Sequence, residues 1–360
     1  MNKSNPSKSI SLGEKKIGIN DPVFFIAEIG SNFDGDLSRA KDLIYMAKES
    51  GADAAKFQHY SADTLVSDFG FKNISNKSHQ SGWKKSVYET YKNASLRQDW
   101  TEALHDLCIE ADLSFLTSPY SFELVDLVDK YVPAFKVGSG DITWIEIIEY
   151  MASKEKPIIL AIGASSMSDV KRAINAVLNV TSDLIVLQCN TNYTASSNNY
   201  RFIQLNVIKE LQNMYPGLIT GLSDHMPGHS SVLGAVAIGA RVIEKHFTDS
   251  TSRIGPDHGF SMTPNTFKEM VDKTRELEDA LGDGLKKVED NEKDTVVLQR
   301  RSVYAISDLN KGKKIQRKDL IVLRPCPSDG IEPFDIKKIE GRVLNKNIKS
   351  GQHIKWDDLL

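Results

Sequence analysis

Residues 218–247 read LITGLSDH, MPGHSSVLGAVAIGA and RVIEKHF, and this stretch does most to limit what the chain can fold into. Two short apolar runs each finish in a histidine, His225 and His246. The segment between them, 230–240, is apolar, rich in small residues and long enough for one helix. That is a strand, helix, strand unit, with two imidazoles at equivalent carboxyl ends of neighbouring strands. In a barrel of parallel strands those ends face the same mouth. Two imidazoles brought together there, with Asp224 and Glu244 beside them, point to a divalent metal, because neutral imidazole is a common ligand for first-row metals. The plainer alternative is that each histidine simply ends a strand.

The same alternation fills the first 280 residues or so. Strand-length apolar runs occur as FFIAEIG (24–30), AAKFQHY (54–60), SFLTSPY (114–120), AFKVGSG (134–140), PIILAIG (157–163), LIVLQCN (184–190), LITGLSD (218–224) and RVIEKHF (241–247). Amphipathic stretches such as LSRAKDLIYMAKES and ITWIEIIEYMASKEK lie between most of them. Eight such units predict a (β/α)8 TIM barrel rather than an open doubly wound sheet, and no GxGxxG turn follows the first run to favour a dinucleotide fold.

At 360 residues the chain is long enough for one large domain and a small one. A formal net charge of -3 gives no electrostatic case for a nucleic-acid or membrane partner. Cys108, Cys189 and Cys326 are far apart and form no CxxC pair, a reduced, cytoplasmic profile. The polar start, MNKSNPSKSISLGEKK, does not read as a secretory signal, and no apolar run approaches membrane-spanning length.

Two segments stand outside the barrel pattern. Between the second strand and its helix, 61–97 carries Trp83, Tyr88 and Tyr91; a connection of that length is a candidate loop or lid over the mouth, or a packed decoration. Near the end, KGKKIQRKDL (311–320) parallels SGQHIKWDDL (350–359), matching Gly312 to Gly351, Ile315 to Ile354 and Asp319-Leu320 to Asp358-Leu359. The domains expected are a barrel over 1–281, a polar linker over 282–297 and a small pseudo-symmetric β-rich domain over 298–360. So small a domain has little core of its own and is expected to dock on its own barrel or a partner's.

The strand ends carry Glu28, Lys56 with Gln58, Ser118, Lys136 with Ser139, Asn190, Asp224 with His225, and Glu244 with His246. Lys56 and Lys136 lie inside runs that otherwise read as buried, so each needs an anion. Glu28 and Glu244 are one source. The other is an anionic substrate: with Ser118, Ser139, Ser223 and the amides of Gly138-Ser139-Gly140, the lysines make a cradle for phosphate and carboxylate, a fit for a small dianionic acid such as phosphoenolpyruvate. In the turn GPDH after the second histidine, Asp257 is either a turn former or a general acid/base near the metal.

Taken together, FIAEIGSN, AAKFQ, FLTSPYS, FKVGSGDITW, GLSDH, EKHFTD, GPDHGFSM and the late RRSVYA, LRPCPSDGI and GRVL resemble the sialic acid synthase family, the N-acetylneuraminate synthases with their legionaminate and pseudaminate relatives. The tail resembles the antifreeze-like (SAF) domain of those enzymes. The resemblance implies condensation of phosphoenolpyruvate with an unphosphorylated N-acetylated hexosamine, either N-acetylmannosamine or a 2,4-diacetamido-2,4,6-trideoxyhexose, with loss of phosphate. It implies a divalent metal, manganese in the family with magnesium or cobalt as alternatives, on His225 and His246. Glu28, Lys56, Lys136 and Asp257 are then the catalytic set. Gln58, Ser118, Tyr120, Ser139, Asn190, Tyr193, Ser223 and Glu244 are the substrate-facing set. A homodimer is implied in which the tail covers the partner's barrel and Arg324 reaches the sugar. This chain departs from the family at Asp141, where Glu is frequent, in the segment Cys189-Asn190-Thr191-Asn192-Tyr193, and in the length of 61–97. Two rivals are a barrel that condenses phosphoenolpyruvate with a phosphorylated sugar to a 3-deoxy-ulosonate phosphate, and a non-catalytic, metal-dependent sugar-binding protein.

Overall fold

The computed structural model describes residues 4–75, 80, 81 and 83–360, and the chain divides into two compact units, 1–282 and 283–360. The first unit opens with an antiparallel hairpin, β1 (Ser9–Leu12) and β2 (Lys15–Gly18), turned through Gly13 at φ +64°. Eight parallel strands follow: β3 (Phe24–Glu28), β4 (Ala54–His59), β5 (Ser114–Pro119), β6 (Phe135–Val137), β7 (Ile158–Ala161), β8 (Leu184–Cys189), β9 (Ile219–Asp224) and β10 (Val242–His246). Each of the eight apolar runs became a strand. Their order, β5-β4-β3-β10-β9-β8-β7-β6, joins first to last through the parallel β3–β10 ladder, while β5 and β6 lie side by side at the seam. This is the (β/α)8 barrel.

The helices are α1 (Leu37–Glu49), then α2 (Ala62–Leu65), α3 (Asp68–Asn73) and α4 (Val87–Ala94) within the long connection, and then α5 (Thr101–Glu110), α6 (Phe122–Val128), α7 (Ile145–Ala152), α8 (Met167–Leu178), α9 (Asn206–Met214), α10 (Ser230–Ala237) and α11 (Pro264–Leu281). Local chemistry explains their starts. Asp36 caps α1 by accepting from the amides of Ser38 and Arg39, and Ser166 with Asp169 forms a capping box on α8. Ala40, Leu43, Ile44 and Ala47, spaced i, i+3, i+4 and i+7, are the buried stripe of α1.

The strands have period two, so alternate residues point into the barrel. Phe24, Ile26, Ala54, Leu116, Ala134, Ile159, Ile185, Ile219 and Val242 belong to one interior cluster, which Ile10, Leu12 and Ile17 of the hairpin extend. Their neighbours Phe25, Ala27, Ala55, Phe57 and Phe115 face outward and pack against the helices. Burial of each large side chain contributes roughly 1.5–3 kcal/mol, and truncating Phe25 to Ala would cost about 3–5 kcal/mol. Gly221 is dictated by the same packing, because a Cβ there would sit 2.1 Å from the carbonyl oxygen of Val242. The interior residues change character along each strand: Phe24 and Ile26 give way to Glu28, Ala54 to Lys56, Leu116 to Ser118, Ala134 to Lys136, and Val242 to Glu244 and His246. An apolar lower half thus holds a polar upper half in register, with Glu28 paired to Lys56 and to His246, and Gln58 to Ser118.

The second unit contains α12 (Lys293–Gln299), β11 (Ser302–Ala305), β12 (Leu320–Leu323) and α13 (Ile336–Ile339). The stretch read as a polar linker is therefore partly helical and groups with this unit. An aliphatic core of Val303, Ala305, Leu309, Ile315, Leu320, Ile331, Ile339, Leu344, Ile348 and Ile354 fills it. The internal repeat is structural. Gly312 and Gly351 both adopt positive φ, Ile315 and Ile354 are buried, and Asp319 and Asp358 each accept the amide three residues back, from Gln316 and Lys355. Among the described residues no helix is long and apolar enough to cross a membrane.

Candidate active site

The carboxyl ends of the strands surround a cavity of about 440 Å³. At its base the buried ammonium of Lys56 lies 2.6 Å from a carboxylate oxygen of Glu28 and 4.0 Å from Glu244; Lys136 lies 3.6 Å from Glu244. Gln58 donates to Glu28 at 2.6 Å, Ser223 to Glu244 at 3.3 Å, and Lys56 to the Ser118 hydroxyl at 3.4 Å. So the protein's own carboxylates pair both lysines. Burial favours the neutral form of each carboxyl, but the outcomes differ. Glu244, between two ammonium groups, is held below the usual carboxylate range, whereas Glu28 is pushed up to about 7 by burial, only partly offset by Lys56. Burial also lowers Lys136. For Lys56 the lowering effect of burial is outweighed by Glu244 and Glu28, and its net shift is upward. Two carboxyl groups driven apart in this way divide the work: Glu244 is a fixed charge and Glu28 can exchange a proton near neutrality.

The two imidazoles meet. Their ring centroids are 5.4 Å apart, with His225 just beyond β9 and His246 ending β10. His225 Nδ1 lies 3.0 Å from the carbonyl oxygen of Asn190, to which it must donate, and this leaves a lone pair on Nε2. His246 Nδ1 is buried without a hydrogen-bond partner and lies 4.0 Å from Asp257. Burial drives both rings below the ordinary histidine range, so both are neutral, the form that ligates metals. Tyr193 and Phe260 meet His225 and His246 edge to face, with ring centroids 4.5 and 4.8 Å apart. Among the described residues no group of three or more His, Cys, Asp or Glu is placed to hold a metal. A two-imidazole donor set therefore leaves most of a cation's positions to water and substrate.

Asp257 Oδ2 accepts from the Ser31 amide at 3.1 Å, and burial raises its pKa. Its loop is anchored by His258, fully buried between Thr248 at 2.7 Å and Asp34 at 2.9 Å. Ser139, Tyr120 and Tyr193 line the cavity, and the Ser139 hydroxyl accepts from the Gly163 amide at 2.9 Å.

Two expectations change. Asn190, expected among the substrate-facing residues, does not line the cavity: its amide donates to the Phe202 carbonyl and its own carbonyl orients His225. Asp224 is not beside the histidines in the mouth. Its side chain points the other way, forms a 2.9 Å ion pair with the buried Lys245 and accepts from Ser231, while Lys245 also donates to the carbonyls of Met226 and Gly228. That network fixes the turn carrying His225. Arg324 belongs to the second unit, where it directly follows β12.

Sequence reasoning missed Tyr60, Phe71 and Asp141, which also line the cavity. Burial raises Asp141 to about 6. The alternation of Lys56, Gln58 and Tyr60 was a signal for Tyr60, and the i, i+4, i+7 spacing of Val87, Tyr91 and Ala94 was a signal that 61–97 has a buried helical face.

Comparison with known proteins agrees with this geometry. The NeuB family model matches residues 43–286 and the SAF domain model residues 300–360. The chain is 38% identical over 356 residues to the N,N'-diacetyllegionaminic acid synthase of Legionella pneumophila, covering 96% of this chain and 97% of that one. It is 30% identical over 341 residues to the pseudaminic acid synthase of Helicobacter pylori, covering 94% and 98%. Among solved structures, N-acetylneuraminic acid (sialic acid) synthetase from Leptospira borgpetersenii serovar Hardjo-bovis, in complex with citrate, superposes with a TM-score of 0.70 at 29% identity, covering 81% of this chain and 96% of that one. With barrel, cavity and tail all accounted for, the chain belongs to the NeuB family, carries a SAF domain at its C-terminal end, and is an enzyme of the sialic (nonulosonic) acid synthase type.

Proposed function

We propose that the chain condenses phosphoenolpyruvate with an unphosphorylated N-acetylated hexosamine-type sugar, N-acetylmannosamine or a 2,4-diacetamido-2,4,6-trideoxyhexose, and releases phosphate by C–O cleavage. The observation that carries this reading is the meeting, in one mouth, of two buried ammonium groups, a carboxyl poised near neutrality and two neutral imidazoles. The names of the Legionella and Helicobacter relatives support the product class.

Lys56 and Lys136, with the hydroxyls of Ser118, Ser139 and Ser223, receive the phosphate and carboxylate of phosphoenolpyruvate and offset their charge. C3 of the enol bonds to the aldehyde carbon, water adds at C2, and the C2–O bond to phosphate breaks. Glu28 takes the proton that water gives up. Asp257, also raised by burial, is the neighbouring group able to donate to the oxygen that was the aldehyde. A divalent cation, manganese in our reading, fits the bare nitrogens of His225 and His246; bound there it supplies Lewis acidity toward the aldehyde. Among the described residues lining the cavity, Lys56 and Lys136 are the ammonium groups, and phosphoenolpyruvate engages both.

The proposed setting is the cytoplasm. The proposed assembly is a homodimer in which the SAF domain delivers Arg324 to the partner's sugar. The test is a panel of phosphorylated and unphosphorylated hexosamines with phosphoenolpyruvate labelled with oxygen-18 at C2–O and manganese, read by mass. A nine-carbon product, with the label in phosphate, is expected. Label retained in the sugar, or reaction with phosphorylated acceptors alone, would overturn the proposal.

A further inference from the structure

The cavity has two unlike sides. One is the polar set of strand ends. The other comes from 61–97: Leu65, Val66, Phe71, Trp83, Tyr91 and Ala94, with Gln80, which is bonded to Tyr91, and Thr90 among them, all half-buried with part of their surface turned to the cavity. This side is built rather than incidental. Ser61, Ser67 and Ser86 cap α2, α3 and α4, and the Tyr88 hydroxyl donates to Asp63, tying α4 to α2. Val87 is buried, and on the same helix Tyr91 and Ala94 line the cavity.

We infer that Leu65, Val66, Phe71, Tyr91 and Ala94 form the wall that reads the end of the acceptor farthest from its aldehyde, selecting a sugar with a 6-deoxy carbon over one with a hydroxyl there; this rests on the function proposed above. Position argues for it. Asp257 accepts from the Ser31 amide, and the Ser31 hydroxyl is 3.3 Å from that of Tyr60. The Tyr60 ring lies 5.6 Å from Tyr91, which in turn lies 6.1 Å from Trp83. This aromatic line starts beside His246 and Asp257, where the aldehyde is placed, and runs away along 61–97. An acceptor anchored by its first carbon lays its later carbons against that line.

Chemistry argues for it too. Leu65, Val66, Phe71 and Ala94 offer no side-chain hydrogen bond, and the Thr90 hydroxyl is already donated to the Ser86 carbonyl. A hydroxyl turned toward this wall gives up water without replacement, whereas a methyl group loses nothing. Because an apolar wall rejects an added hydroxyl only modestly, the preference it confers is on the order of 100-fold.

The experiment compares kcat/KM for N-acetylmannosamine and for its 6-deoxy counterpart, in the full-length enzyme and in Phe71→Gln and Val66→Asn, with circular dichroism to confirm folding. The expected result is a preference of roughly 100-fold for the deoxy sugar. It should narrow about 10-fold in each variant through the sugar's KM, with the KM for phosphoenolpyruvate unchanged. A wild-type preference for N-acetylmannosamine overturns the inference, as does a ratio that the folded variants leave untouched. If neither sugar turns over, that counts against the proposed reaction alone. Calorimetric binding of the same two sugars then still decides the wall: a preference that shifts in the variants upholds it, and equal affinities overturn it.

Discussion

Replacing Glu244 by Gln should destabilise the ligand-free enzyme while making it respond more strongly to phosphoenolpyruvate. The Glu244 carboxylate is the nearest anion to Lys136, at 3.6 Å, and the second anion to Lys56, at 4.0 Å. At an effective dielectric constant near 20, such pairs are worth about 5 and about 4 kcal/mol. Against this, the substitution removes the carboxylate's own desolvation, several kcal/mol, and its repulsion of Glu28. Removing one partner of a buried pair has a net cost of about 3–5 kcal/mol, because the other charge stays behind uncompensated. In a domain of this size that corresponds to a fall in Tm of roughly 10 °C. Phosphoenolpyruvate supplies the missing negative charge, so the Tm rise at saturating ligand should be larger in Glu244→Gln than in the wild type. Thermal denaturation with and without phosphoenolpyruvate checks this. A variant with unchanged Tm, or one that gains no more than the wild type from the ligand, would refute the view that Glu244 holds both ammonium groups in place until the substrate arrives.

Other expectations follow from the same geometry. His246→Ala should lose turnover and bind manganese more weakly in a direct titration; activity that survives exhaustive chelation would remove the metal from the reaction. Arg324→Ala should raise the sugar's KM while the barrel stays folded, and the wild type should scatter light as a dimer; an unchanged KM or an active monomer would end the proposed exchange of tails. Stability should fall in acid through His59, which is buried between the hydroxyls of Thr117 and Thr101, each 2.8 Å away. Burial lowers its pKa from 6.5 to about 4, so below 6.5 the unfolded chain binds a proton that the folded one refuses. That contribution is complete above 6.5 and is lost as pH falls toward 4, by about 3 kcal/mol. Urea denaturation of His59→Gln should show a shallower pH slope between those limits, and an identical slope would contradict the assignment.

The barrel was legible because its strands are buried on both faces, so each appears as a short apolar run whose length and flanks identify it. The mouth was legible because a charged residue two positions beyond an inward apolar one must also point inward: Ala54 sets Lys56, and Ile26 sets Glu28. What alternation does not give is the direction of a residue past a strand's end. Asn190 directly follows β8 and was assigned to the substrate, yet its carbonyl serves His225. Asp224 was read with the histidines, yet it faces the helices, where only Lys245 on the next strand reveals its partner. The hairpin of β1 and β2 was hidden in a polar-looking start because only three of its side chains are both apolar and buried. The wall formed by 61–97 was hidden because its helices are short and its apolar face is split among them.

The hairpin beneath the barrel bears on how the enzyme can be handled. Ile10, Leu12 and Ile17 lie against the innermost aliphatic layer, at the pole opposite the chemistry. Trimming the chain to its first barrel strand would look harmless on an alignment of catalytic motifs, yet it would leave that layer wetted from below. Any fusion partner belongs ahead of residue 9, where it leaves this cork in its socket.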